Sequence, residues 1–280
     1  MKRWIFAACL AGWLASAWAQ DKPSGTGTEA KPSEEAAKDL PSARAVIDRY
    51  IEAAGGREAF LKKNSVLLKG KTEVGGKDLG GSMTLATAKP NKMFLAVDLA
   101  GITMRSGFDG KIGWQVNPIT GPSIMEAKEL RDMERQADFF AILHEEKEIK
   151  SMTTVSKEMF EGEECYKIKL VYSDGEEVTE FYSVKTGLQT GFIGSQESQL
   201  GKITTTSVNH EHKKFGDLLL PSRVTQKMSG LSQTMVVDSV EFDTVPDSMF
   251  EPPAEIKALL AAEPTKKEEA EPKEKPAAKE

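Results

Sequence analysis

Few residues of this chain stand in arrangements that could do chemistry. His210 and His212 are spaced i, i+2 on a stretch that reads as a strand, which aims both imidazoles at one face, as a metal site requires. No third ligand is identifiable, and the neighbours Asn209, Glu211, Lys213 and Lys214 make this a wet strand face. His144 is the one other histidine. Cys165 alternates with Tyr166 and so shares a face with Lys167 and Lys169, whose charge can lower a thiol pKa. With no histidine or second thiol close in sequence, it reads as an ordinary lone cysteine. The chain has no G-x-S-x-G elbow, no phosphate loop and no H-E-x-x-H. An enzyme is therefore not expected, and neither a metal nor another cofactor is called for.

What remains are large apolar side chains. Phe94, Met104, Phe108, Trp114, Phe139, Phe140 and Leu143 are the candidate lining of a ligand cavity, the alternative being that they only pack a sheet against its helices. Phe140 is expected to point from a central helix toward the concave face of the sheet, with Phe139 or Leu143 beside it, because consecutive large apolar groups cannot all face the core from one helix.

The elements that must position these residues follow from period and punctuation. Val46, Ile47, Tyr50, Ile51 and Ala54 recur at three-to-four spacing between Ser42 and Gly55, which predicts a helix, with a short second turn at Ala59 and Phe60. After Ser65 the period becomes two. Val66, Leu68, Gly70, Thr72 and Val74 alternate with Leu67, Lys69, Lys71 and Glu73, as on a strand with one buried face. Hairpin signals recur at Asp109 and Gly110, Glu161 and Gly162, Asp174 and Gly175, Thr186 and Gly187, and near Gly230. The pattern predicts a mainly β (α+β) fold, a strongly curved antiparallel sheet of about 10–11 strands covered on its concave face by helices. One interruption, from Glu126 to Leu143, returns to helical period, and a short C-terminal helix is expected from about Ala254 to Ala262.

The N-terminus predicts export. Lys2 and Arg3 precede an apolar run from Trp4 to Trp18 and a small-residue site at Ala17 and Ala19, the pattern of a cleaved signal peptide over residues 1–19. The run is too short to span a membrane as a helix. Cleavage at Cys9, the lipoprotein reading, would leave too short an apolar region and is rejected. Removing the first 19 residues leaves 261 and takes away two positive charges, so the formal charge moves from −6 to −8. An acidic chain with no basic stripe excludes a nucleic-acid partner. Only Cys165 would remain, so no internal disulfide can form and the fold must hold by core burial. Residues 20–40 and 263–280, rich in Pro, Ser, Glu and Lys, read as a disordered linker and a charged tail around one domain at 41–262.

Five stretches carry a resemblance: "AAGGREAF" (Ala53 to Phe60), "GFDGKIGWQVNP" (Gly107 to Pro118), "FYSVKTGL" (Phe181 to Leu188), "LLLPSRV" (Leu218 to Val224) and "DSMFEPP" (Asp247 to Pro253). With the helix before them, these resemble the LolA-like superfamily of periplasmic outer-membrane lipoprotein-sorting proteins. The motifs are turn and strand signatures, so they speak to fold before activity. The resemblance implies a half-closed barrel of about eleven strands enclosing an apolar cavity, with helices across its mouth. It implies a non-enzymatic periplasmic binder whose partner is a lipid or an acylated lipoprotein, with peripheral contact to a membrane. The alternative it implies is an interaction or sensor domain that binds another envelope protein and holds no ligand. Arg44, Arg49 and Arg57 lie near the first helix, and none sits in a motif that assigns it a role.

Overall fold

The computed structural model describes residues 40–75, 79–144, 149–173, 175–198 and 201–269. The expected signal peptide, nearly all of the linker and residues 270–280 of the tail lie outside these. Among the described residues no helix is long and apolar enough to cross a membrane.

Helix α1 is Ala43–Ala53; the Ser42 hydroxyl accepts from the Ala45 N–H at 3.2 Å, and Val46, Ile47, Tyr50 and Ile51 form its buried stripe. The helix ends where Gly55 and Gly56 take positive φ. At Gly55 the backbone is pressed against a strand turn: a Cβ there would lie 2.6 Å from the Asp217 carbonyl. A second short helix, α2, is Arg57–Leu61.

The rest is dominated by one antiparallel sheet of thirteen strands. These are β1 Ser65–Val74, β2 Leu79–Ala88, β3 Lys92–Leu99, β4 Ile102–Phe108, β5 Gly113–Asn117, β6 Gly121–Ile124, β7 Ile149–Phe160, β8 Glu163–Tyr172, β9 Glu177–Ser183, β10 Gln189–Ser198, β11 Gly201–Phe215, β12 Leu218–Met228 and β13 Leu231–Phe242. Their order is β6-β5-β4-β3-β2-β1-β13-β12-β11-β10-β9-β8-β7, so the first and last strands pair at the centre while β6 and β7 form the two edges. The count exceeds the 10–11 expected. β6 has only four residues and contains Pro122, which gives no alternation to read and is tolerated because the strand is an edge.

The sheet is a curved half-barrel with helices on its concave face. On that face Leu68, Leu85, Leu95, Val97, Phe108, Ile168, Leu170, Val224 and Met235 join the α1 stripe in one core. Two smaller clusters sit on the opposite face. Ala86, Ala88 and Phe94 lie under Phe250, and Phe160, Cys165, Phe181 and Val208 pack together with the Phe160 and Phe181 rings stacked at 3.9 Å.

The central helix is shorter than its period suggests. Helix α3 is Ala127–Gln136, and only a 3-10 turn, Ala141–Leu143, follows. Asp138 stops the helix: its carboxylate accepts from the Phe140 N–H at 3.0 Å, while the Phe139 N–H leaves the helical ladder to donate to the Pro90 carbonyl at 3.2 Å. Phe140 therefore sits in a turn rather than on a helix. The C-terminal helix α4 runs Ala254–Glu269, past the expected end at Ala262.

Candidate ligand-binding site

Residues 137–144 form a strap that leaves α3 and lies over the concave face. Beneath it is a pocket of about 40 Å³. Phe139 and Ile142 of the strap form its roof. Phe60 and Lys63 flank it, and Val66, Thr87, Leu218, Leu220 and Phe242 of β1, β2, β12 and β13 make its floor. The lining is apolar apart from Thr87 and Lys63, and Lys63 turns its ammonium to Asp217 at 2.6 Å and over the Phe242 ring at 4.7 Å.

The end of the strap is held by polar contacts. Arg44 on α1 donates from Nη1 to the carbonyls of His144, at 3.1 Å, and Leu143, at 3.4 Å, and from Nε to Asp48 at 2.8 Å. The His144 ring is buried: Nδ1 lies 2.9 Å from the Ile142 carbonyl and Nε2 lies 2.9 Å from Glu180 Oε2. A carbonyl only accepts, so Nδ1 donates to Ile142 and Nε2 faces the Glu180 carboxylate. The Tyr182 hydroxyl donates to the same carboxylate oxygen at 2.6 Å, and the Tyr50 ring of α1 tilts against Tyr182 at 5.4 Å. Burial, reinforced by the Glu180 charge, pushes both phenols above their ordinary range.

The seven candidate residues are dispersed. Phe139 lines the pocket. Phe140 packs edge-on to Phe139, with ring centroids 5.4 Å apart, under the Lys89 ammonium, and Leu143 is buried in the main core. Directly opposite residues share a face, so Met104 and Phe108, paired with Val97 and Met93, belong to the concave side. Phe94 and Trp114 belong to the other side, their rings 6.2 Å apart. Gly107 makes room there, since a Cβ on it would come within 2.5 Å of the Trp114 ring.

The histidine pair does not gather ligands. The pairing of β11 with β12 is irregular on both sides of Glu211; His210 is exposed, with Nε2 2.9 Å from the Thr225 hydroxyl, while His212 Nε2 is buried without a partner among the described residues. No group of three or more His, Cys, Asp or Glu among the described residues is placed to hold a metal ion. Cys165 is fully buried, its thiol donating to the Thr190 hydroxyl at 3.3 Å, and burial pushes its pKa up despite that bond.

Solved structures share this fold. A DUF1329 family protein from Desulfovibrio piger superposes with a TM-score of 0.53 at 11% identity, over 76% of this chain and 98% of its own. A LolA superfamily protein from Nitrosomonas europaea gives 0.53 at 12% identity, over 76% of this chain and 99% of its own. The chain has the LolA-like fold. No family model and no curated protein matches the sequence. Within the LolA-like fold, the strap and its pocket occupy the concave side, where the sheet is open to helices rather than to a second sheet.

Proposed function

We propose that the protein is a non-enzymatic periplasmic binder of an apolar ligand, the acyl chains of a lipoprotein or a free lipid, held between the concave sheet and the strap at 137–144. The observation that carries this reading is the apolar pocket roofed by Phe139 and Ile142, because its roof is not part of a regular helix and is tied down by a few reversible polar contacts. The export pattern at 1–19 supports the compartment, and the LolA-like resemblance, which implies a lipid or an acylated lipoprotein as partner, supports the ligand class. The pocket's 40 Å³ is small beside the roughly 300–1,000 Å³ of ligand sites, so the protein binds by lifting the strap. Lifting it exposes Phe139, Ile142, Leu218, Leu220 and Phe242 together, and acyl chains bind in proportion to the apolar area they hide.

Native mass spectrometry of protein purified without detergent, followed by lipid extraction and titration with a fluorescent acyl probe, tests this. Bound lipid or saturable probe binding is expected. Protein that carries no lipid and binds no probe above background refutes the reading.

A further inference from the structure

The inner face of the half-barrel carries a line of polar side chains that the pocket does not use. Through the register, Glu180 on β9 faces Phe192 on β10, which faces Ser207 on β11, then Gln226 on β12 and Gln233 on β13. This is the concave side, because Phe192 and the neighbouring Val224 and Met235 belong to the main core. All five residues are at least nine-tenths buried, Gln226 being the most exposed at 8%.

Two of these polar groups are accounted for. Glu180 is held by His144 and Tyr182, and Gln233 donates from Nε2 to the Thr72 hydroxyl at 2.6 Å. The other two are not. Ser207 Oγ and Gln226 Nε2 are buried with no hydrogen-bond partner among the described residues, and they stand directly opposite each other. A buried donor without an acceptor destabilises a fold more than the same bond, once made, would stabilise it. Apolar residues such as Val224 and Met235 fill the adjoining positions without that cost.

We propose that Ser207 and Gln226 form the polar end of the ligand cavity and take the ester group of an acylated ligand, an inference that rests on the acyl-binding reading above. A carboxamide nitrogen only donates, and a hydroxyl can donate, so the pair calls for an acceptor. Neither group is charged, so a buried anion here would go without a counter-charge, and a neutral acceptor is favoured. An ester fits, because its oxygens accept and it brings no donor of its own that would need burying. Gln226 lies six residues along β12 from the pocket residue Leu220, roughly 20 Å at strand spacing, with Val224 between them. That span suits an extended acyl chain running from the ester to the strap.

The test uses the full chain and displacement of a fluorescent acyl probe by two competitors of equal length, a long-chain fatty-acid methyl ester and the corresponding alkyl methyl ether, which lacks the carbonyl. The ester is expected to compete about five- to tenfold better, and Ser207→Ala with Gln226→Leu is expected to abolish that preference while retaining ether binding. The comparison in the unmodified protein stands even if the variant folds poorly. Equal competition by ester and ether overturns the proposal and leaves acyl binding intact, and so does a folded variant that keeps the ester preference. A protein that binds neither competitor nor probe overturns both readings.

Discussion

Arg44 and His144, 100 residues apart in sequence, are joined side chain to backbone: the guanidinium donates to the His144 carbonyl at 3.1 Å. A charged donor on a backbone carbonyl holds the strap whatever side chains the strap carries, and it can be released without unfolding α1. Arg44→Ala is expected to accelerate binding and release of an acyl probe severalfold and to lower unfolding free energy by about 1–2 kcal/mol. Stopped-flow fluorescence reads the rates; unchanged kinetics would show that Arg44 does not restrain the strap.

Glu180 is the second hold, and it is buried. Glu180→Ala strands His144 and the Tyr182 hydroxyl away from water and is expected to cost about 3–5 kcal/mol in urea unfolding. In a His144→Ala background the same change should cost less, because part of the loss has already been taken. Strictly additive effects would mean that the two side chains do not stabilise each other.

Phe139 and Phe140 separate pocket from packing. Phe139→Asp places a charge in the apolar roof and is expected to weaken acyl-probe binding at least about tenfold. Phe140→Ala, at a site beside the pocket rather than in it, should lower stability while binding changes little. The reverse ranking, from titrations of both variants, would move the ligand to the Phe140 side.

Burial holds His212 below the ordinary histidine value of 6.5, with Glu163 opposing weakly. The folded protein thus resists a proton that the unfolded chain accepts, so stability is expected to fall as pH drops below about 6.5 and to be indifferent to this group above it. His212→Gln should flatten that part of the profile. Equal slopes in chemical denaturation between pH 5 and 7 would count against the assignment.

Asp243 works in the opposite chemical sense and the same pH direction. Its carboxylate accepts from the Asn64 N–H at 2.6 Å and the Ser65 N–H at 3.3 Å, which holds its pKa below the usual 3.8. The ionised cap stabilises at neutral pH, and its contribution is lost as pH falls through the depressed folded value. Asp243→Asn should remove this part of the acid dependence, measured as the unfolding midpoint between pH 5 and 2.

The sheet was legible because alternation and Gly-containing turns are local signals: Val66 to Val74 and the Asp109–Gly110 hairpin are where period and turn chemistry put them. The break at Asp138 was hidden by the continuous apolar run from Phe139 to Leu143, which looks helical until the Phe139 N–H finds the Pro90 carbonyl. Arg44 could not be given a role from sequence, since its targets are backbone carbonyls and these leave no residue signature. Glu180 was visible in principle. It stands between Val178 and Tyr182 on the inward phase of β9, and a carboxylate in that phase asks for a buried partner. The pocket floor was not visible, because Val66, Thr87, Leu218 and Phe242 converge only through the pairing of β1 with β13.

That pairing also decides how force would travel through the molecule. With β1 and β13 joined at the centre, the sheet is two successive meanders, β1 to β6 and β7 to β13, whose free margins are consecutive in the chain. The stretch joining Ile124 to Ile149 ties one margin to the other and contains the strap. A wedge that spreads the margins therefore draws on the same stretch that roofs the pocket, like a cord threaded between the two lips of a purse. For this connectivity, widening the mouth is expected to draw on the roof as well.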